Sequence, residues 1–284
     1  MWKQKIGISL ERIDGLSDFE VIDIVAATGF DAVSPLWRNG GEELFSLVEY
    51  ARSRGLTVQA MHAPFARSAD MWSDGERAQA ALRELICVVE DCAELKIPIL
   101  VCHVWKGFEY TEVPCDAGIG NYGKVVARAK ELGVSIAFEN TEGEEFLYAL
   151  MEHFEGESTV GFCWDSGHEM CYNHSKDLLG RFGDRLLMTH LNDNLGISRY
   201  DGVTFWTDDL HLLPFDGIAD WSYNTERLRR AKRLDILNFE LTVHSKPGRH
   251  DNDAYAAMPP AVYFATAYQR ACRIAYAYSA GREE

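Results

Sequence analysis

The 284-residue chain carries 28 Lys and Arg against 44 Asp and Glu, for a net charge of −16, and 47% of its residues are hydrophobic. So much apolar sequence supports a sizeable core, while so acidic a surface disfavours nucleic acid, whose binding draws on Lys and Arg at the phosphates. The seven cysteines show no CxxC spacing, the first fifteen residues (MWKQKIGISLERIDG) contain no apolar signal-peptide core, and no apolar run reaches the ~18 residues of a membrane span, so the expectation is a reduced, cytoplasmic protein without a membrane partner.

Short β-type runs alternate with longer helical patterns along the chain. KIGISL (5–10) reads as a first strand, followed by a helix over 17–29 with Ser17 as N-cap, Glu20 at its third position and Gly29 as its stop. FDAVSP (30–35), a helix over 41–55, TVQAMHAP (57–64) and a helix over 75–96 come next. Then follow IPILVCHVW (97–105), a helix over 121–133, VSIAFEN (134–140), a helix over 144–154 and VGFCWD (160–165). A helix over 175–183, LLMTHLND (186–193), a helix over 224–234 and DILNFELT (235–242) complete the alternation. The chain closes on PPAVYFATAYQRACRIAYAYSA, a helix apolar nearly all round, suited to packing on the body or to a homo-oligomer contact. Most strands are rich in Val, Ile and Leu, as parallel strands covered on both faces require. Eight strands alternating with eight helices predict a (β/α)8 TIM barrel in a single domain over 1–284. A doubly wound sheet is the alternative, and the lack of a GxGxxG after the first strand weakens a dinucleotide fold.

The polar residues at the strand ends carry the chemistry. The third strand delivers His62, the fourth His103, the fifth Glu139, the sixth Asp165 with His168 just beyond, the seventh His190 and the eighth Glu240. Any one of these, taken alone, is ordinarily a hydrogen-bonded rim residue or a helix cap. In a barrel, however, all of these ends converge on one face, and a charge following an apolar run is costly unless it is paired or bound to metal. Three carboxylates and one imidazole, from Glu139, Asp165, Glu240 and His190, form an oxygen-rich set suited to one divalent ion such as Mn, Mg, Co or Zn. The long segment 189–221 adds Asp193, Asp209 and His211, together with Phe205, Trp206 and Trp221, which either wall a pocket or staple the loop down.

With HAPF, FEN, WDSGH, HLNDN and DLHLLPFDGIADW, the chain resembles the sugar phosphate isomerase/epimerase superfamily of xylose isomerase-like TIM barrels over nearly its whole length. The last two stretches resemble the family pattern HxxDN followed by DxHLLPGxGxxDW, with Phe215 standing where a Gly is usual. The resemblance implies that Glu139, Asp165, His190 and Glu240 hold one divalent metal. It also implies that Glu139 and Glu240 flank the reacting carbon as acid and base, and that His62, His103, His168 and His211 face a small sugar or cyclitol substrate. The implied reaction is isomerisation or epimerisation by proton transfer next to a carbonyl, through a metal-stabilised enediolate. An inosose dehydratase-like lyase lies within the same reading. The superfamily also contains endonuclease IV-type AP endonucleases with three zincs, whose nine-ligand pattern can be laid on His62, His103, Glu139, Asp165, His168, His190, Asp209, His211 and Glu240. The acidic surface, HAPF and HLNDN favour the sugar branch. A non-catalytic binding protein on the same fold is a third possibility, and the presence of both carboxylates argues against it.

Overall fold

The computed structural model describes residues 4–198 and 206–280. Phe205 lies outside the described residues. The chain runs β1 (Lys5–Ser9), α1 (Asp18–Thr28), β2 (Ala32–Ser34), α2 (Gly41–Ser53), β3 (Thr57–Val58), β4 (Ala60–His62), α3 (Glu76–Glu94), β5 (Ile99–His103) and α4 (Asp116–Leu132). It continues with β6 (Ser135–Glu139), α5 (Glu144–His153), β7 (Val160–Asp165), α6 (Ser166–Cys171), α7 (Leu178–Phe182), β8 (Leu186–His190), α8 (Trp221–Arg230), β9 (Ile236–Phe239), α9 (Asp253–Ala256) and α10 (Pro260–Ala280).

Among the described residues these strands pair in parallel, in the orders β3-β2-β1-β9 and β4-β5-β6-β7-β8. The third predicted strand is broken at Gln59 into β3 and β4 because it changes neighbours there, from β2 to β5. Backbone bonds of Trp37 and Pro35 with His62 tie that seam together. At the other seam the Leu191 amide donates to Asn238 O at 3.0 Å and the Glu240 amide to Leu191 O at 3.2 Å. Both seams are thus bonded, and the sheet closes as the expected TIM barrel.

Local chemistry sets the helix ends where the sequence is explicit. Ser17 and Glu20 form the reciprocal N-terminal cap of α1, and Gly29 ends it at φ 112°. Three helices depart from expectation, one of them α8, which runs Trp221–Arg230 and not 224–234. α4 begins at Asp116, not at 121, although its first turns carry Gly118, Gly120 and Gly123. Gly is a poor helix former, but Gly118 lies against the Trp72 indole, where a Cβ would come within 2.1 Å of the ring. The segment after Asp165 forms the short α6, and the predicted helix over 175–183 shortens to α7. The C-terminal α10 packs on the body: Tyr263, Phe264, Ala267, Ala271, Ile274, Ala275 and Tyr278 are buried in the main core. Among the described residues no helix is long and apolar enough to cross a membrane.

Inside the barrel, Ala60, Val101, Ala137, Cys163 and Met188 form a small buried layer of their own, apart from the main core. Strand side chains alternate with a period of two, so the next inward-facing residue on each of these strands is His62, His103, Glu139, Asp165 or His190. One slip maintains the match. Phe162 pairs with Leu186 but Cys163 pairs with Met188, and this extra residue in β8 brings His190 level with Asp165. Bulges of this kind re-aim side chains next to functional sites.

The close packing of Gly118 yields a prediction. Gly118→Ala places a methyl inside the Trp72 ring, and overpacking of this kind costs roughly 1–3 kcal/mol, against at most ~1 kcal/mol gained in helix propensity. We expect the denaturant midpoint to fall with an unchanged slope. A midpoint equal to or above the parent's would show that the Trp72 contact does not set this helix start.

Candidate metal centre and active site

Glu139 stands at the middle of the strand-end constellation. Its carboxylate is 0% exposed. Oε2 lies 3.3 Å from His62 Nε2 and 3.3 Å from His103 Nε2, while Oε1 lies 3.0 Å from His190 Nδ1 and 3.4 Å from His168 Nδ1. Burial pushes this carboxyl up, but the charges of His190 and His103 outweigh burial and hold it well below the ordinary carboxylate range. Glu240, one residue beyond β9, reaches the same His190 Nδ1 at 3.0 Å. Burial raises it as well, yet His190 and His211 bring it down to about 2. Burial lowers His190 and His168, but the surrounding acidic groups raise both well above the usual imidazole value.

Asp165 is oriented by its neighbours. Its backbone N–H donates to Asn140 Oδ1 at 2.8 Å, and its carbonyl accepts from Asn140 Nδ2 at 2.9 Å. Its carboxylate accepts from the His168 amide at 2.6 Å and from Asn192 Nδ2 at 3.1 and 2.9 Å. Ser166 Oγ donates to Asn192 O at 2.7 Å and accepts from Asn192 N at 3.0 Å. A Cβ on Gly167 would fall 1.9 Å from Asn192 Oδ1. The stretch DSGH is therefore one unit: Asp165 faces the barrel axis and caps α6, Ser166 locks the strand to β8's exit, Gly167 leaves room for Asn192, and His168 turns back over Glu139. The next residue, Glu169, is structural. It accepts from Trp164 Nε1 at 3.0 Å and pairs with both terminal nitrogens of Arg227 at 2.7 and 2.9 Å.

A second carboxylate, Asp209, faces the other side of His168. Its Oδ1 is 3.4 Å from His168 Nε2 and 2.7 Å from His211 Nε2, and its Oδ2 is 3.0 Å from Lys246 Nζ. Burial raises Asp209 while the two imidazoles and Lys246 hold it well below the usual range; burial lowers His211 and Asp209 lifts it to about 9. His211 is held at φ 46°, a left-handed conformation unfavourable for a side chain of its size, and its Nδ1 lies 3.0 Å from Glu240 O.

Two buried carboxylate oxygens here lack a well-aligned hydrogen bond. Glu139 Oε2 and Asp209 Oδ1 are fully buried and have no hydrogen-bond partner despite the ring nitrogens nearby. His62 Nδ1 lies 2.7 Å from Ala63 O. That carbonyl can only accept, so Nδ1 is the donor there and Nε2 is the ring nitrogen that faces Glu139, an orientation common around metal-binding imidazoles. One ligand atom from each of Glu139, Asp165, His190 and Glu240 can be chosen so that all four lie within 4.8 Å of one another. This spacing and donor set fit a divalent cation, whose charge would displace the protons the imidazoles otherwise hold. The same criterion groups His62 and His103 with Glu139, His62 with His190 and Glu240, Asp165 with His168 and His211, and Cys163 with Glu139 and His190.

A cavity of about 680 Å³ opens above the cluster. His62, His103, His168 and His211, the four expected substrate contacts, all line it, as does Glu240. Glu139, Asp165 and His190 are buried and do not line it; of the four candidate ligands Glu240 alone reaches the cavity, with its side chain 23% exposed. Phe65, Phe108, Tyr172 and Trp206 supply apolar walls, while Glu11, Lys106, Thr242 and Lys246 supply polar ones. Trp206 therefore walls the pocket, whereas Trp221 staples the loop: its Nε1 donates to Asp193 Oδ2 at 2.9 Å. The same Asp193 carboxylate accepts from the amides of Asn194, Phe215 and Ala219. Phe215 occupies its glycine-like position at φ 75°, under the Arg273 guanidinium at 3.9 Å, and does not line the cavity.

Sequence reasoning overlooked Glu11, Lys106, Tyr172 and Phe65 as pocket residues, Asn140, Ser166 and Asn192 as supports, and Cys163 beneath the site. Glu11 was detectable by the test applied to the other strands, since it follows the apolar KIGISL. The aromatic walls come from loops of no regular spacing and offer no such signal.

The comparisons with known proteins agree with this architecture. The model of the xylose isomerase-like TIM barrel family matches residues 22–259. An uncharacterised protein, y4fM, of Sinorhizobium fredii is 32% identical over 164 residues, 54% of this chain and 50% of that protein, so the chain spans about half the length of this curated relative. Among solved structures, the IolI protein with a bound zinc atom superposes at a TM-score of 0.73 with 16% identity, covering 96% of this chain and 99% of that one. An L-ribulose 3-epimerase does so at 0.69 and 16%, covering 99% and 100%. A D-psicose 3-epimerase with D-tagatose, from Clostridium cellulolyticum H10, gives 0.67 and 15%, covering 97% and 99%. With a family model spanning most of its length and a closed parallel barrel, the chain belongs to the xylose isomerase-like TIM barrel family.

Proposed function

We propose that the protein is a divalent-metal-dependent sugar or cyclitol isomerase or epimerase that moves a proton on the carbon next to a carbonyl. The observation that carries this reading is the paired carboxylates Glu139 and Glu240, each 3.0 Å from the same His190 nitrogen at the foot of a cavity sized for a small molecule. The epimerase and zinc-bound neighbours support it.

Glu139, Asp165, His190 and Glu240 would hold the cation, which supplies polarisation of the substrate carbonyl and compensation of its developing negative charge. His62, His103, His168 and His211 line the path from the mouth and offer ring nitrogens to substrate oxygens. Phe65, Phe108, Tyr172 and Trp206 cover the C–H faces and keep water from the reacting carbon. Glu240 reaches the carbon from the cavity side. Glu139, recessed behind four imidazoles, serves from beneath them. A carboxylate has two oxygens, so each residue can bind the cation with one and take or return a proton with the other. Return of the proton to the opposite face gives an epimer, and return to the neighbouring carbon gives an isomer. Loss of a hydroxyl instead would make the enzyme an inosose dehydratase-like lyase.

A second reading, an endonuclease IV-like zinc AP endonuclease, is favoured by one observation: the further groups His62–His103–Glu139 and Asp165–His168–His211 are themselves spaced for ions. The net charge of −16 opposes it, because a DNA duplex would meet an acidic surface.

The first prediction concerns turnover. Incubation with Mn²⁺ and a panel of free and phosphorylated ketoses and inososes in D₂O should introduce deuterium next to the carbonyl of at least one compound. Failure across the panel, together with cleavage of abasic-site duplex at physiological salt and close to three zincs per chain, would establish the nuclease reading instead.

The second concerns the ligands. His190→Ala should lose most of the bound metal by elemental analysis, and retention at the parent level would remove His190 from the set. The third separates the two carboxylates. Glu240→Gln keeps one coordinating oxygen at the cavity edge, so it should retain metal while turnover falls at least ~10²-fold, the low end of general acid–base contributions. Glu139→Gln removes the charge that four imidazoles surround and should lose metal as well as turnover. Full activity in Glu240→Gln would exclude that residue as acid or base.

A further inference from the structure

We propose that Glu11 is a substrate-binding residue that accepts hydroxyls several carbons from the reacting one, so that the enzyme takes free sugars or cyclitols and rejects those bearing a terminal phosphate. The inference rests on the reading of the site as that of a sugar or cyclitol isomerase or epimerase. Ile8 of β1 pairs with Phe239 of β9. Continued three residues past both strands, this register sets Glu11 level with Thr242, and the Thr242 hydroxyl donates to Glu11 Oε1 at 2.7 Å. Glu240 precedes Thr242 by two residues, about 6.6 Å along an extended chain. Glu11 therefore lies one layer above Glu240, toward the mouth, and both line the same cavity. A substrate whose reacting carbon meets Glu240 carries its distal hydroxyls to the height of Glu11.

Glu11 has acceptor capacity left over. Its side chain is 24% exposed, and Oε2 has no hydrogen-bond partner among the described residues. The His244 ring does not supply one: its Nε2 is 4.0 Å from Glu11 Oε1 but 3.0 Å from Arg12 O, which takes the proton. Burial pushes the Glu11 carboxyl up, and the Glu240 charge adds to that rise, against the pull of Thr242, His244 and His211. An acceptor in this setting gains from donor hydroxyls and is left unpaired by a substrate without them. A phosphate brings acceptor oxygens and negative charge instead, and meets the repulsion of Glu11 and Glu240. The two cavity lysines do not offset this at the Glu11 end. Lys246 Nζ is engaged by Asp209 Oδ2 at 3.0 Å. Lys106 follows β5, three strands round the barrel from β1, with its Nζ 4.6 Å over the Phe65 ring.

The test is deuterium exchange by the full chain with Mn²⁺, using D-fructose, D-tagatose and D-psicose, each beside its 6-phosphate, together with free inososes. The parent should exchange at least one free compound with a kcat/KM at least ~10-fold above that of any 6-phosphate, the scale of one hydrogen bond to a charged group. Glu11→Gln keeps the shape and an acceptor for Thr242 but loses the charge. It should raise KM for that compound at least ~10-fold with kcat and bound manganese unchanged, the mark of lost substrate binding, and should narrow the discrimination against phosphate. Glu11→Asp keeps the charge but withdraws it by one methylene, so it should raise KM while retaining the discrimination. That contrast separates charge from loosened packing, and Glu11→Asp carries the test should the glutamine variant fold poorly. A parent that prefers a 6-phosphate, a parental KM in the variants, or a raised KM accompanied by loss of manganese overturns the inference and leaves the isomerase reading in place. No exchange with any compound, free or phosphorylated, overturns both.

Discussion

A carboxylate with no solvent access is the constraint on which this molecule turns. Leaving the Glu139 charge bare inside a barrel would cost far more than the stability of a typical domain, so the fold must neutralise it. It does so with imidazoles from β4, α6 and β8 and from the end of β5, each within 3.4 Å. Those imidazoles are in turn fixed by backbone carbonyls or further carboxylates: His62 by Ala63, His168 by Asn140 and Asp209, His211 by Glu240 and Asp209. Charge balance at one buried point thereby organises the whole upper face of the barrel.

The barrel supplies the geometry through its two-residue period. A layer of small and apolar residues fills the interior just below the site, and the next inward residue on each of those strands is polar. The small residues at 60, 137 and 163 let the layer pack tightly, so the polar layer above it has a solid floor. Without the single slip between β7 and β8, His190 would fall out of line with Asp165. The register irregularity and the candidate ligand set therefore belong to the same feature.

The long loop after β8 divides its work. Asp193 spends both carboxylate oxygens on three amides and the Trp221 indole, holding the turn in which Phe215 occupies a glycine-like conformation. That rigid turn positions Asp209 and His211 without contributing to the cavity itself. The catalytic carboxylates proposed here differ in setting for a related reason: Glu240 follows the last barrel strand and faces the cavity, whereas Glu139 ends a central one and lies beneath the imidazoles.

The alternation of apolar runs and amphipathic helices determined the barrel, and polar residues recurring after apolar runs determined which side chains meet, because strand ends in such a barrel share one face. His62, His103, Glu139, Asp165, His168, His190 and Glu240 were legible on that ground, His211 only through the long loop and the family pattern, and the structure brings them together. Helix starts at Asp116 and the helix after Asp165 were not legible, since a glycine's packing against Trp72 and a cap from Asp165 depend on partners distant in the chain or turned by the fold. The sequence likewise could not separate Trp206 from Trp221. Which aromatic lines a cavity depends on register and loop path, and only the closed tertiary structure decides that.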